Sequence, residues 1–162
     1  METKPRWKKA ERIDREYGFE LEAEAREIFP LLCPVREYDW IPDWACDMVY
    51  SASGIAEKDA IFHTRMFGRS VVWTCIAYEP PRLVEYLLVL GKGGVVRLSI
   101  RLDEAGGKTM VRWAMRFTLT GLMARLADKV ASREGYDAMI LSRQRLLEAY
   151  FGKAARAKGA PR

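Results

Sequence analysis

The stretch VVRLSIRLDEAGGKTMVRWAMRFTL, residues 95–119, decides the fold. Val96, Leu98, Ile100 and Leu102 alternate with Arg97, Ser99 and Arg101. Beyond two glycines, Val111, Trp113, Met115, Phe117 and Leu119 alternate with Arg112, Ala114 and Arg116. A period of two marks strands with one dry and one wet face. Taking 104–107 as a four-residue loop pairs residues whose numbers sum to 211, so that Ile100 meets Val111 and Ser99 meets Arg112. Every apolar position then shares one face, as register demands, and the arginines fall staggered instead of directly opposed.

Downstream the period changes. After Gly121, the residues Leu122, Leu126, Val130, Met139, Ile140, Leu146, Leu147 and Tyr150 recur at helical spacing, with Gly152 as the expected stop. Gly135 leaves two alternatives, one long helix or two segments bent near 132–135. Upstream, short strand-like runs at 45–52, 59–67, 70–77 and 83–90 are joined by Gly- and Pro-rich turns, the pattern of an antiparallel meander. A further alternating run, REYGFELEA at 15–23, precedes two short helical pieces broken by Pro30, Pro34 and Pro42.

The order is therefore strand, two short helices, six strands and a long C-terminal helix. This is an α+β chain with a curved antiparallel sheet of about seven strands. The helix has to cover the sheet's apolar, concave face, because no other element can. A twisted sheet curls away from a straight helix, so the space between them is filled by side chains or left as a cavity. The two short helices plug one end of it. WIPDW, residues 40–44, is where that plug returns the chain to the sheet, which puts Trp40 and Trp44 at the mouth or end wall.

This layout resembles the START-like, helix-grip superfamily, also called SRPBCC, which includes birch-pollen-type allergens, polyketide cyclases and chaperone-activator homologues. EAREIFPLLCPVREYDWIPDW, DMVYSASGIAEKDAIFHT and VRWAMRFTLTGL carry the resemblance, which extends over about residues 13–152. Relatives often have glycine before the second tryptophan, where this chain has Asp43. The resemblance implies a helix-grip domain over 13–152, and the charge pattern sets off a basic extension at 1–12 and a basic, flexible tail at 153–162. It implies function only loosely, since such folds host carriers, enzymes and partner-binding modules alike.

Strand parity names the residues of the concave face. Met48, Tyr50, Phe62, Thr64 and Met66 point inward from the strands after the tryptophans, and Tyr86 and Leu88 from a later one. In the strand between them Val72, Thr74 and Ile76 compete with Val71, Trp73 and Cys75. Trp113, Met115 and Phe117 come from the last strand, and Met123 and Met139 from the helical segment. With Trp40, Trp44 and Trp73 these make up the candidate ligand-binding set. The same residues also suit a solid core.

The set is apolar and aromatic with a few hydroxyls, and it holds no inward Asp, Glu, Lys or His to act as general acid or base. His63, the single histidine, falls on the outward parity of Ile61 and Arg65. Cys33, Cys46 and Cys75 have no C-x-x-C spacing and read as reduced, mostly buried thiols, not a disulfide framework. No phosphate loop, metal cluster or triad emerges, so no cofactor or metal is expected. A binding role thus takes precedence over catalysis. The ligand it implies is a small apolar molecule such as a lipid, polyketide or aromatic metabolite. A cyclase- or aromatase-like enzyme and a chaperone-activator-like module are the alternatives.

Charge and length bound the remainder. The chain of 162 residues is long enough for one domain and carries a net charge of +5. Residues 1–12 account for +3 and 153–162 for +4, leaving −2 on 13–152. A basic face on the folded body is what nucleic-acid binding needs, so that class is demoted. No run approaches the ~20 apolar residues of a membrane span. METKPRWKKAERIDRE lacks a signal-peptide h-region, which makes cytoplasmic residence the expectation. Nothing in the sequence argues against a homodimer.

Overall fold

The computed structural model describes residues 9–66 and 68–159. Seven strands form one antiparallel sheet: β1 (Ala10–Leu21), β2 (Cys46–Tyr50), β3 (Ile61–Met66), β4 (Arg69–Glu79), β5 (Leu83–Val89), β6 (Gly94–Ala105) and β7 (Lys108–Thr120). Their order is β1-β7-β6-β5-β4-β3-β2, so six consecutive strands make a meander and β1 joins it beside β7. Between β1 and β2 lie α1 (Ala25–Ile28) and 3-10 turns at Phe29–Leu32 and Glu37–Asp39. After β7 come α2 (Gly121–Arg125), α3 (Ala127–Val130) and α4 (Arg133–Gly159). This is the expected helix-grip architecture.

The decisive hairpin keeps its faces but not its register. Ala105 pairs with Lys108 and Ile100 with Trp113, because the loop is the two residues Gly106 and Gly107 and not four. Both glycines have positive φ, 62° and 78°, the backbone a tight two-residue hairpin turn requires. A shift of two residues preserves side-chain parity. It does, however, bring Arg97 opposite Arg116 and Arg101 opposite Arg112, so these arginines are not staggered. Acids on the same convex face offset the repulsion: Asp14 meets Arg116 at 2.6 Å, Asp103 meets Arg112 at 3.6 Å, and Glu85 meets Arg97.

The concave side is the core. Val96, Leu98, Ile100 and Leu102 of β6 and Val111, Trp113 and Leu119 of β7 are buried there, together with Tyr136, Ile140 and Leu147 of α4. In β4 the competition resolves toward Val71, Trp73 and Cys75, leaving Val72 and Ile76 exposed. The plug is fastened to the sheet by polar bonds. The Ala25 N–H donates to Glu104 Oε2 at 2.8 Å, and Thr109 Oγ1 donates to the Ala23 carbonyl at 2.7 Å.

The C-terminal region is two short helical turns and one long helix, broken at 131–132. Ser132 supplies the break with its new start, accepting the Gly135 N–H on its hydroxyl at 3.2 Å. Leu122 and Leu126, expected on the buried face, are 69% and 41% exposed. Helix α4 runs past Gly152, the expected stop, to Gly159. At the other end β1 begins at Ala10, inside the segment read as an extension. Residues 1–8 and 160–162 of the two basic ends lie outside the described residues.

Candidate functional site

A cavity of about 340 Å³ lies between the concave sheet, the plug and α4. That is the size at which small-molecule sites begin. Its wall is aromatic. Phe62 stacks on Trp73 with ring centroids 5.6 Å apart and planes 8° from parallel, and Tyr86 meets both edge-on. Strand register makes this cluster, since Phe62 of β3 pairs with Trp73 of β4, whose neighbour across β5 is Leu88.

The polar atoms of the aromatic residues are anchored. Trp73 Nε1 donates to Thr64 Oγ1 at 2.8 Å, and the Tyr86 hydroxyl donates to the Leu32 carbonyl at 3.1 Å. Trp44 Nε1 donates to the Pro34 carbonyl at 2.8 Å, which fixes its ring as a cavity wall where the plug ends. Burial pushes the Tyr86 hydroxyl well above the ordinary phenol range, so it stays protonated. Asp43, Ala45 and Arg65 are exposed and border the same cavity, marking its mouth.

Eight of the fourteen sequence candidates line this space. They are Trp44, Phe62, Thr64 and Trp73 on one side, and Tyr86, Trp113, Met115 and Met139 on the other. Six do not. Trp40 is 6% exposed and donates Nε1 to the Leu31 carbonyl at 2.8 Å, inside the plug's own core. Leu88 and Phe117 are buried packing residues, and Met48 and Met123 pack against the core away from the cavity. Tyr50 is 58% exposed, because a bulge between Met48 and Tyr50 sets Tyr50 opposite Ile61. One extra residue reverses parity from there on.

Two charged residues enter the cavity that parity did not name. Glu37 opens the 3-10 turn at Glu37–Asp39, and Arg143 lies in α4. Burial pushes the Glu37 carboxyl up to about 8, partly opposed by the attraction of Arg143. Burial likewise lowers Arg143, with Glu37 holding it up. Among the described ion pairs none joins the two within 4.0 Å, so they share the space without closing it. The expectation of no inward acid or base is therefore wrong. Glu37 escaped it because it sits on an irregular turn, and Arg143 because it lies one turn from Met139 on a helix whose exposed face is also charged.

The remaining nucleophile candidates stay structural. Cys33 and Cys75 are buried free thiols, Cys33 Sγ accepts the Ala56 N–H at 2.9 Å, and burial pushes Cys75 up to about 11. Burial also raises Cys46. His63 pairs across the sheet with Asp47 and Val72, away from the cavity.

The family described as polyketide cyclase / dehydrase and lipid transport matches residues 16–148. The chain belongs to this family. No curated protein matches the sequence. Solved structures match the fold. A protein from Rhodobacter sphaeroides superposes with a TM-score of 0.65 at 14% identity, covering 90% of this chain and 99% of that one. Norcoclaurine synthase from Thalictrum flavum, in complex with dopamine and hydroxybenzaldehyde, gives 0.63 at 13% identity, covering 85% and 87%. A protein from Rhizobium loti gives 0.62 at 10% identity, covering 88% and 99%. At these identities the likeness concerns the fold. No helix of the described residues is long and apolar enough to cross a membrane.

Proposed function

We propose that this member of the polyketide cyclase / dehydrase and lipid transport family binds a small, largely apolar molecule, such as a lipid, polyketide or aromatic metabolite, in the cavity between sheet and α4. The observation that carries this is the aromatic wall of Phe62, Trp73 and Tyr86 around about 340 Å³ of space. Burying apolar ligand surface there is favourable by roughly 25 cal/mol per Å². Trp73 and Tyr86 are held by hydrogen bonds and Phe62 by stacking on Trp73, so the wall needs little ordering on binding. The small aromatics bound to norcoclaurine synthase, which has the same fold, support the reading. So does lipid transport in the family's description. The setting we propose is cytoplasmic.

The test is native mass spectrometry of the purified protein, as isolated and with a panel of lipophiles, alongside thermal unfolding. A mass shift and a raised melting temperature with at least one apolar compound are expected. A panel that gives neither overturns the reading.

One observation favours a second reading, a cyclase-like enzyme. A carboxyl held up to about 8 inside an apolar cavity is a general acid near neutral pH. Under that reading Glu37→Gln abolishes turnover of a bound substrate without abolishing its binding. The partner-binding alternative would use an exposed Trp40 or Trp44; Trp40 is buried and Trp44 is half-buried in the cavity wall.

A further inference from the structure

Four charged groups face the cavity. Arg143 lines it from α4 and Arg65 from β3; the acids are Glu37 from the plug turn and Asp43 from the loop before β2. Cys46 and Tyr86 also act on Glu37's surroundings, and both are held protonated by burial. Asp43 and Arg65 are exposed at the mouth, where water screens them. Farther in, Arg143 faces a carboxyl that burial favours in its neutral form. Inside the cavity Arg143 is thus left without a paired carboxylate.

Arg143 is half-buried in the cavity wall, and a guanidinium partly withdrawn from water is favoured by an anion that meets it. Arg143 makes no ion pair within 4.0 Å with any carboxylate of the described residues. Its planar fork fits a carboxylate in a bidentate manner. The neutral Glu37 carboxyl offers one O–H donor to the same anion. We propose that the ligand is a hydrophobic organic acid, whose carboxylate is received by Arg143 and the Glu37 carboxyl while its apolar body lies against Phe62, Trp73 and Tyr86. This rests on the cavity reading above and adds to it the ligand's charge.

The experiment is calorimetric titration with three isosteric probes: 2-naphthoate, 2-naphthamide and 2-naphthylmethanol. At pH 7 the acid is expected to bind about tenfold or more tightly than the amide and the alcohol, the usual advantage of a charge-assisted pair. Arg143→Met should remove that advantage while leaving the alcohol's affinity within about threefold, which also reports that the variant is folded. The acid's affinity should fall as the pH rises from 7 to 9, because Glu37 then ionises and repels it. In Glu37→Gln the fall should vanish. Equal affinity for all three probes overturns the proposal and leaves the cavity reading standing. So does an Arg143→Met variant that weakens acid and alcohol alike. Failure of all three to bind removes the cavity reading, and this proposal with it.

Discussion

Trp40 donates its indole N–H to the Leu31 carbonyl at 2.8 Å, whereas Trp44, four residues on, donates to Pro34 and turns its ring to the cavity. The two tryptophans of WIPDW thus have separate jobs. One closes the plug on itself and the other ends it as a wall.

Trp40→Ala removes a 6%-exposed ring and leaves the Leu31 carbonyl without its donor. A loss of about 3–5 kcal/mol in urea unfolding is expected. Trp44→Ala should cost less in the same assay but weaken binding of an apolar ligand, read by calorimetric titration. If Trp44→Ala leaves affinity unchanged, Trp44 is no part of the site.

Glu37 makes the fold's stability depend on pH. Its carboxyl rises from an ordinary 4.5 to about 8 in the folded chain, so the folded state holds a proton that the unfolded state releases between those values. Stability from this group is present below pH 4.5 and is lost as pH rises toward about 8. Glu37→Gln cannot ionise and escapes that loss. Its melting temperature relative to the natural chain should match near pH 4.5, climb between pH 5 and 8, and level off above. A difference independent of pH would show that Glu37 is ionised in the folded protein.

The fold was legible in the sequence because its signals are periodic. Alternation in β6 and β7 assigned both faces correctly even though the loop length was misjudged, since an error of two residues preserves parity. Tyr50 was lost to a one-residue bulge, which alternation cannot reveal. The bend that Gly135 leaves open near 132–135 is present, with Ser132 capping the new start, but helical spacing continues across it and so places Leu122 and Leu126 on the buried face, where they are not. The aromatic half of the site came from strands and could be read. Its charged half comes from Glu37, on a turn with no period, and Arg143, whose neighbours give no sign of a cavity.

Asp43, in the loop before β2, has a φ of +57°. An L side chain is strained in that conformation, less for Asp than for most. Asp43→Gly relieves the strain but loosens the unfolded chain. The two effects oppose, so a change within about 0.5 kcal/mol is expected. Asp43→Val, which adds a β-branch at positive φ, should cost about 1–2 kcal/mol. Urea unfolding of the pair measures both, and equal stability of the two variants would show that the turn relaxes freely.

Gly94, at the start of β6, has φ +118°, and a Cβ there would lie 2.1 Å from the Thr118 carbonyl oxygen of β7. Gly107, in the hairpin at the other end of the same strand pair, also has positive φ but nothing within 4 Å of such a Cβ. The two positions separate backbone strain from collision. Gly107→Ala carries only the strain and should cost about 1 kcal/mol. Gly94→Ala carries the strain and must also push β7 away from β6 at Leu119, whose pairing with Gly94 starts the register that puts Trp113 and Met115 in the cavity wall. It should cost about 3 kcal/mol or more and reduce binding of apolar probes in whatever fraction stays folded. Equal losses in the two variants would mean that the strands separate there at little cost, and the cavity wall would then depend on Leu119 far less than its complete burial implies.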